Sequence, residues 1–145
     1  MAILLGVTFA GAQRVDRKLI DAFGNVPCDD WLGRLDLFLA ELQNDPESSG
    51  LIVMYEGRYY DYRTERQMLP VFGEVNLRAN LIRSHLRNRR FDPSRITFIL
   101  GGNRDDHLIE LWAIQPGVTY PELKPTRDKI KYRKGKPSSI LASCP

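Results

Sequence analysis

The chain has 145 residues, of which 43% are hydrophobic and 27% charged, with a formal net charge of +3. That is one domain by size, with the composition of an ordinary globular protein. The positive balance is local: residues 118–145 hold seven basic and two acidic residues, a surplus of +5, which leaves −2 for residues 1–117. A body with an acidic balance excludes the basic footprint of a nucleic-acid-binding fold.

Residues 2–12 carry no charge and are mostly apolar, and Ala10-Gly11-Ala12 places small residues where a signal peptidase reads. The expectation is a signal peptide over 1–12 and a protein that is periplasmic or secreted. A buried strand is the alternative reading of the same residues. The segment is too short to span a bilayer, so the chain is not expected to be an integral membrane protein. The two cysteines, Cys28 and Cys144, are 116 positions apart. Export would permit a disulfide, but the position of Cys144 in a Pro/Lys/Ser-rich tail favours two free thiols.

Arg17 to Phe23 alternates loosely and ends at Gly24-Asn25, a strand followed by a turn. Asp29 or Asp30 suits a helix N-cap. Trp31, Leu35, Phe38, Leu39 and Leu42 then recur at helical spacing up to Asn44-Asp45-Pro46. Gly33 inside that helix suggests a close packing contact, since glycine costs about 1 kcal/mol there against alanine. Gly50 to Tyr55 is a continuous apolar run, as in a strand covered on both faces. Glu56 to Gly73, with Tyr59, Tyr60, Tyr62 and Pro70, is expected to be a long loop. A second helix starts near Glu74, with Val75, Ala79, Ile82 and Leu86 on one stripe. Asp92-Pro93-Ser94 turns the chain into a third strand, Ile96 to Leu100, closed by Gly101-Gly102. His107 to Ile114 is a fourth strand, and the short connection before it predicts an antiparallel hairpin. The order β-α-β-α-β-β, with helical crossovers between the first three strands, predicts a two-layer α/β sandwich with a mixed sheet and both helices on one face. The globular domain is expected over 13–117, and 118–145 as a flexible basic tail.

Chemistry-bearing clusters are sparse. The only histidines, His85 and His107, fall in the second helix and at the start of the last strand, where surface or capping roles are usual. No nucleophile elbow or convergent triad is present, so neither His107 nor Cys28 supports an enzyme. Two Cys and two His without metal-ligand spacing predict no metal, and no cofactor cradle is visible. Arg78 stands out because it lies on the core-facing stripe, three residues after Val75 and four before Ile82. A guanidinium there must meet a carboxylate or a ligand, and Glu56, Asp61 and Glu74 are the candidates. A snorkelling or salt-bridged arginine and an anion-binding arginine are both open.

From Lys18 to Ile114 the chain resembles the OmpA-like domain, the periplasmic peptidoglycan-binding module. The resemblance rests on L-R-A-N-L-I-R-S-H-L, similar to that family's R-A helix, and on F-D-P-S-R-I, similar to its turn before the next strand. G-L-I-V-M-Y-E-G-R is similar to the strand leading to the family's G-H-T-D, and G-E-V-N-L-R-A, with Asn76, is a degraded form of the run before the arginine. The resemblance implies a β-α-β-α-β fold with an extra strand and a site in which Arg78 takes the part of the arginine that holds the diaminopimelate of the peptidoglycan stem peptide. The family's aspartate position falls on Arg58, so Glu56 or Asp61 would have to replace its carboxylate. The implied function is a non-enzymatic envelope domain with an altered site, or else an interaction module that keeps the fold without binding peptidoglycan.

Overall fold

A computed structural model describes residues 15–137; the expected signal peptide and Cys144 lie outside the described residues. Five strands and two helices form a mixed α+β sandwich. They are β1 (Arg17–Phe23), α1 (Cys28–Asn44), β2 (Ser49–Asp61), β3 (Arg66–Met68), α2 (Glu74–Asn88), a short 3-10 turn (Pro93–Arg95), β4 (Ile96–Asp106) and β5 (Leu108–Ile114).

The sheet is built around β2. It pairs with β5 antiparallel on one side and with β4 parallel on the other, while β1 adds to the outside of β5. β1 and β2 therefore run parallel with β5 between them, as a helical crossover favours. Both helices cover one face. Their apolar stripes (Leu35, Phe38 and Leu42 from α1, Ala79, Ile82 and Leu86 from α2) pack against Ile52, Met54, Ile109 and Leu111 of the sheet. Side chains alternate across a strand, so Leu51, Val53 and Tyr55 fill the opposite face with Ile114. β2 is thus buried on both sides, as its unbroken apolar run requires.

Several local expectations are corrected. Pro27, with no side-chain cap, precedes α1; Asp29 and Asp30 lie in its first turn, where Asp30 pairs with Arg34 at 3.0 Å. Gly33 has no neighbour within 4 Å of where a side chain would start, so it marks no close contact. β2 does not end at Tyr55 but continues to Asp61 and forms a ribbon with β3, so half of the expected long loop is strand.

β4 and β5 do not form a hairpin. The chain leaves β4 at Asp106, crosses β2 at His107 and starts β5 on the far side, with the His107 amide donating to Arg58 O at 2.7 Å. Gly57 permits this crossing, because a Cβ there would stand 2.5 Å from the carbonyl carbon of Asp106. Gly101-Gly102 is likewise not a closing turn. It lies within β4 at a register shift opposite Met54 and Tyr55, and a side chain on Gly101 would collide with the Tyr55 ring.

Residues 118–137, expected within a flexible tail, run along the body as an extended strap. The Lys124 amide donates to Tyr55 Oη at 3.1 Å. Thr126 and Arg127 amides donate to Asn103 O at 2.9 and 3.1 Å, and the Arg133 amide to Pro70 O at 3.0 Å. The backbone of this segment thus finds partners that composition alone does not announce. Cys28 is disulfide-bonded, which corrects the expectation of a free thiol.

Candidate functional site

The site grows from the N-terminal turn of α2. Glu74 is the first residue of the helix, and its Oε2 accepts from the Val71 amide at 3.0 Å, tying the entering chain to the helix start. One turn on, Arg78 points to the same side, as i,i+4 spacing dictates. Its Nη2 lies 3.9 Å from Glu74 Oε1, an ion pair with both side chains almost fully buried. Arg78 Nη1 donates to Asn25 Oδ1 at 3.1 Å, and the guanidinium sits over the Tyr59 ring, 5.2 Å from its centroid. Asn25 is itself fixed, donating to Tyr60 O at 2.6 Å and accepting from Tyr62 Oη at 3.1 Å through its carbonyl.

From the sheet come Glu56 and His107. His107 is buried, which corrects the expectation of a surface or capping residue. Its Nδ1 lies 2.9 Å from Tyr55 O. A carbonyl only accepts, so Nδ1 carries the proton and Nε2 is left as an acceptor. Glu56 Oε2 accepts from Tyr132 Oη of the strap at 2.7 Å. Arg133 caps the arrangement, donating from Nη2 to Tyr59 Oη at 3.1 Å and from Nε to Leu69 O at 3.0 Å. Phe72 meets the Tyr132 ring edge-on at 5.5 Å.

Four buried polar atoms have no hydrogen-bond partner here: Glu56 Oε1, Glu74 Oε1, Arg78 Nη2 and His107 Nε2. Their residues line one small cavity together with Tyr59 and Pro70. Its volume, about 10 Å³, is on the scale of one water-sized sphere, far below the few hundred Å³ of a small-molecule pocket.

Burial sets the electrostatics. It lowers the pKa of the Arg78 guanidinium, a pull opposed by the charge of Glu74. Burial, with the Arg78 charge second, holds His107 well below the ordinary histidine value, so it is neutral at pH 7. Burial also raises the Glu56 carboxyl; the Tyr132 hydroxyl pulls the other way. Tyr132 is pushed up to about 12 by burial and by its bond to Glu56. Among the described residues Arg78 is thus the one cation that faces this cavity, set among two carboxylates and a neutral imidazole.

Of the residues expected at the site, Arg78 and Glu56 meet, and Glu74 joins them. Asp61 does not: its carboxylate accepts from the Arg63 amide at 3.0 Å and from Thr64 Oγ1 at 2.9 Å, within the turn after β2. Arg58 is exposed, bonded to Asp105 O at 3.2 Å and paired with Asp106 at 3.3 Å. Asn76 is exposed on α2. Sequence reasoning missed Asn25, His107 and the strap residues Tyr132 and Arg133. An Asn after Gly24 reads as turn chemistry, and no local pattern ties 132–133 to β2.

No protein-family model, curated protein or solved structure matches the chain. Among the described residues no group of three or more His, Cys, Asp or Glu could hold a metal ion, and no helix is long and apolar enough to cross a membrane.

Proposed function

We propose that the protein is a non-enzymatic envelope module of OmpA-like build that works through protein–protein contact, and that Arg78 holds the fold together instead of binding a peptidoglycan stem peptide. The observation that carries this reading is the closure of the Arg78 cluster. Arg78 is 5% exposed, its charge is met from within by Glu74 and Asn25, and the strap covers Glu56 and Tyr59. A stem-peptide carboxylate would need the guanidinium's fork to be open, and here Nη1 is bonded to Asn25 while Nη2 faces only a cavity on the scale of one water. The disulfide at Cys28 suits an oxidising compartment and so supports the envelope location.

A second reading keeps wall binding through the same cluster, uncovered by displacement of the strap. The convergence of Glu56 and Arg78 favours it. Sedimentation of the full chain with purified diaminopimelate-type peptidoglycan decides between the two. The expected result is no retention beyond that of the basic strap, lost at high salt and unchanged in Arg78→Lys. Salt-resistant retention that disappears in Arg78→Lys, with the variant still folded, overturns the proposal in favour of the second reading.

A further inference from the structure

β4 is an edge strand that the fold leaves half covered. Its inner side pairs with β2 from Gly50↔Ile96 to Arg58↔Asp106. On its outer side the strap already adds to it: Arg127 bridges antiparallel to Asn103, and two strap amides donate to Asn103 O. Among the described residues no segment pairs with the outer side from Ile96 to Leu100. That stretch, I-T-F-I-L, carries no charge and no proline, and its register shift comes only after Met54↔Leu100. The devices by which proteins protect an edge are thus missing where the strap ends. Leu100 is 56% exposed.

A cavity of about 510 Å³ adjoins this edge, between β4 and the end of α2. Leu86, Phe91, Ile96 and Phe98 line its apolar part, and Arg83 and Arg87 stand at its rim. Arg83 lies over the Phe98 ring at 4.3 Å. Both arginines spend their hydrogen bonds on neutral groups of their own helix, Arg83 on Asn80 and Arg87 on Ser84. Among the described residues neither has a carboxylate partner, whereas Arg34, Arg89 and Arg127 do.

We infer that the Ile96–Leu100 edge and the groove beside it dock an extended segment of a partner protein, one that carries apolar side chains at alternate positions and a carboxylate on the same face. A strand added to β4 would lie about 4.8 Å from it and direct every second side chain along the groove wall. Backbone hydrogen bonds would supply affinity, the groove would select apolar side chains, and the two arginines would fix register through a forked contact with the carboxylate. The strap shows, at Asn103 further along the same strand, that the outer side of β4 accepts backbone hydrogen bonds from an extended segment. The inference names a surface for the interaction role proposed above but stands on different residues: wall sedimentation tests Arg78, and strand docking is tested at β4.

The experiment is an NMR titration of the isotope-labelled full chain with an extended Val-Thr repeat peptide bearing one aspartate on its valine face. Shifts should concentrate in the amides of Ile96–Leu100 and the side chains of Arg83 and Arg87. Replacing the aspartate with lysine, or N-methylating the peptide backbone, should weaken binding about tenfold or more. Leu100→Lys, at an exposed position that leaves the core untouched, should do the same with the original peptide. Absent shifts, shifts elsewhere, or equal binding of the lysine peptide would overturn the inference. So would pairing of β4 with a second copy, seen as concentration-dependent dimerisation that the peptide does not compete with.

Discussion

The two faces of the sheet are covered in different ways. On one, α1 and α2 lay down stripes of Leu, Phe and Ile whose spacing is written in the helices themselves. On the other, Leu51, Val53 and Tyr55 are just as buried, yet the partly buried residues packed against them come from strands and from Val118 at the head of the strap. The first cover is periodic and local. The second depends on single contacts far apart in sequence, such as Lys124 to Tyr55 and Arg133 to Pro70. A face sealed by apolar area loses stability in proportion to the area removed, whereas one sealed by a strap depends on a few specific bonds.

Phe38→Ala should break the helical side most severely. Phe38 is fully buried, and an aromatic-to-alanine change in a core costs about 3–5 kcal/mol; denaturant unfolding measures it, and a loss below about 1 kcal/mol would mean that the α1–sheet contact is loose. Truncation after Gly117 should break the other side, by about 2–4 kcal/mol, since it removes the strap's backbone bonds to Tyr55, Asn103 and Pro70. An unchanged melting temperature would show that the strap lies on the body without holding it.

The polar cluster between these regions sharpens the comparison through pH. The folded pKa of His107 lies well below its ordinary value of 6.5, so its contribution is present above pH 6.5 and is lost as pH falls through that value towards the folded pKa. The slope can reach about 1.4 kcal/mol per pH unit. Glu56, whose folded pKa is raised, acts in the opposite sense, favouring the fold once protonated and partly offsetting the loss near the acid end. His107→Gln should flatten the stability profile between pH 6.5 and 5; an unaltered slope would place the proton uptake elsewhere. Tyr132→Phe, which removes the donor to Glu56 at 2.7 Å, should have the smallest effect, about 1 kcal/mol. It should also lower the Glu56 pKa shift's counterweight, so that the carboxyl titrates higher still by NMR.

Much of the fold was legible from residues. β1 spans Arg17–Phe23 and α2 begins at Glu74, as alternation and stripe spacing predict, and the burial of Arg78 follows from its place on that stripe. The β4–β5 connection reads as a hairpin because six polar and glycine residues between apolar runs look like a loop. Only the insertion of β2 between those strands turns them into strand and crossing. Of the site, the sequence indicated Arg78 and its carboxylates but not which would arrive. Asp61 satisfies its own turn, a local competition visible only once β2 is known to run on to that residue.

By itself the sequence determined the helices, the central apolar strand and the need for a partner to Arg78. Each follows from periodicity, or from the cost of an unpaired buried charge, and both act at short range along the chain. Only the tertiary structure decided that His107 would be buried, that residues 118–137 would strap the second face and close over Glu56, and that no other described segment would pair with the outer side of Ile96–Leu100. Those outcomes depend on which distant segments meet, and backbone hydrogen bonds, which every residue but proline offers alike, leave little residue-specific mark by which to foresee it.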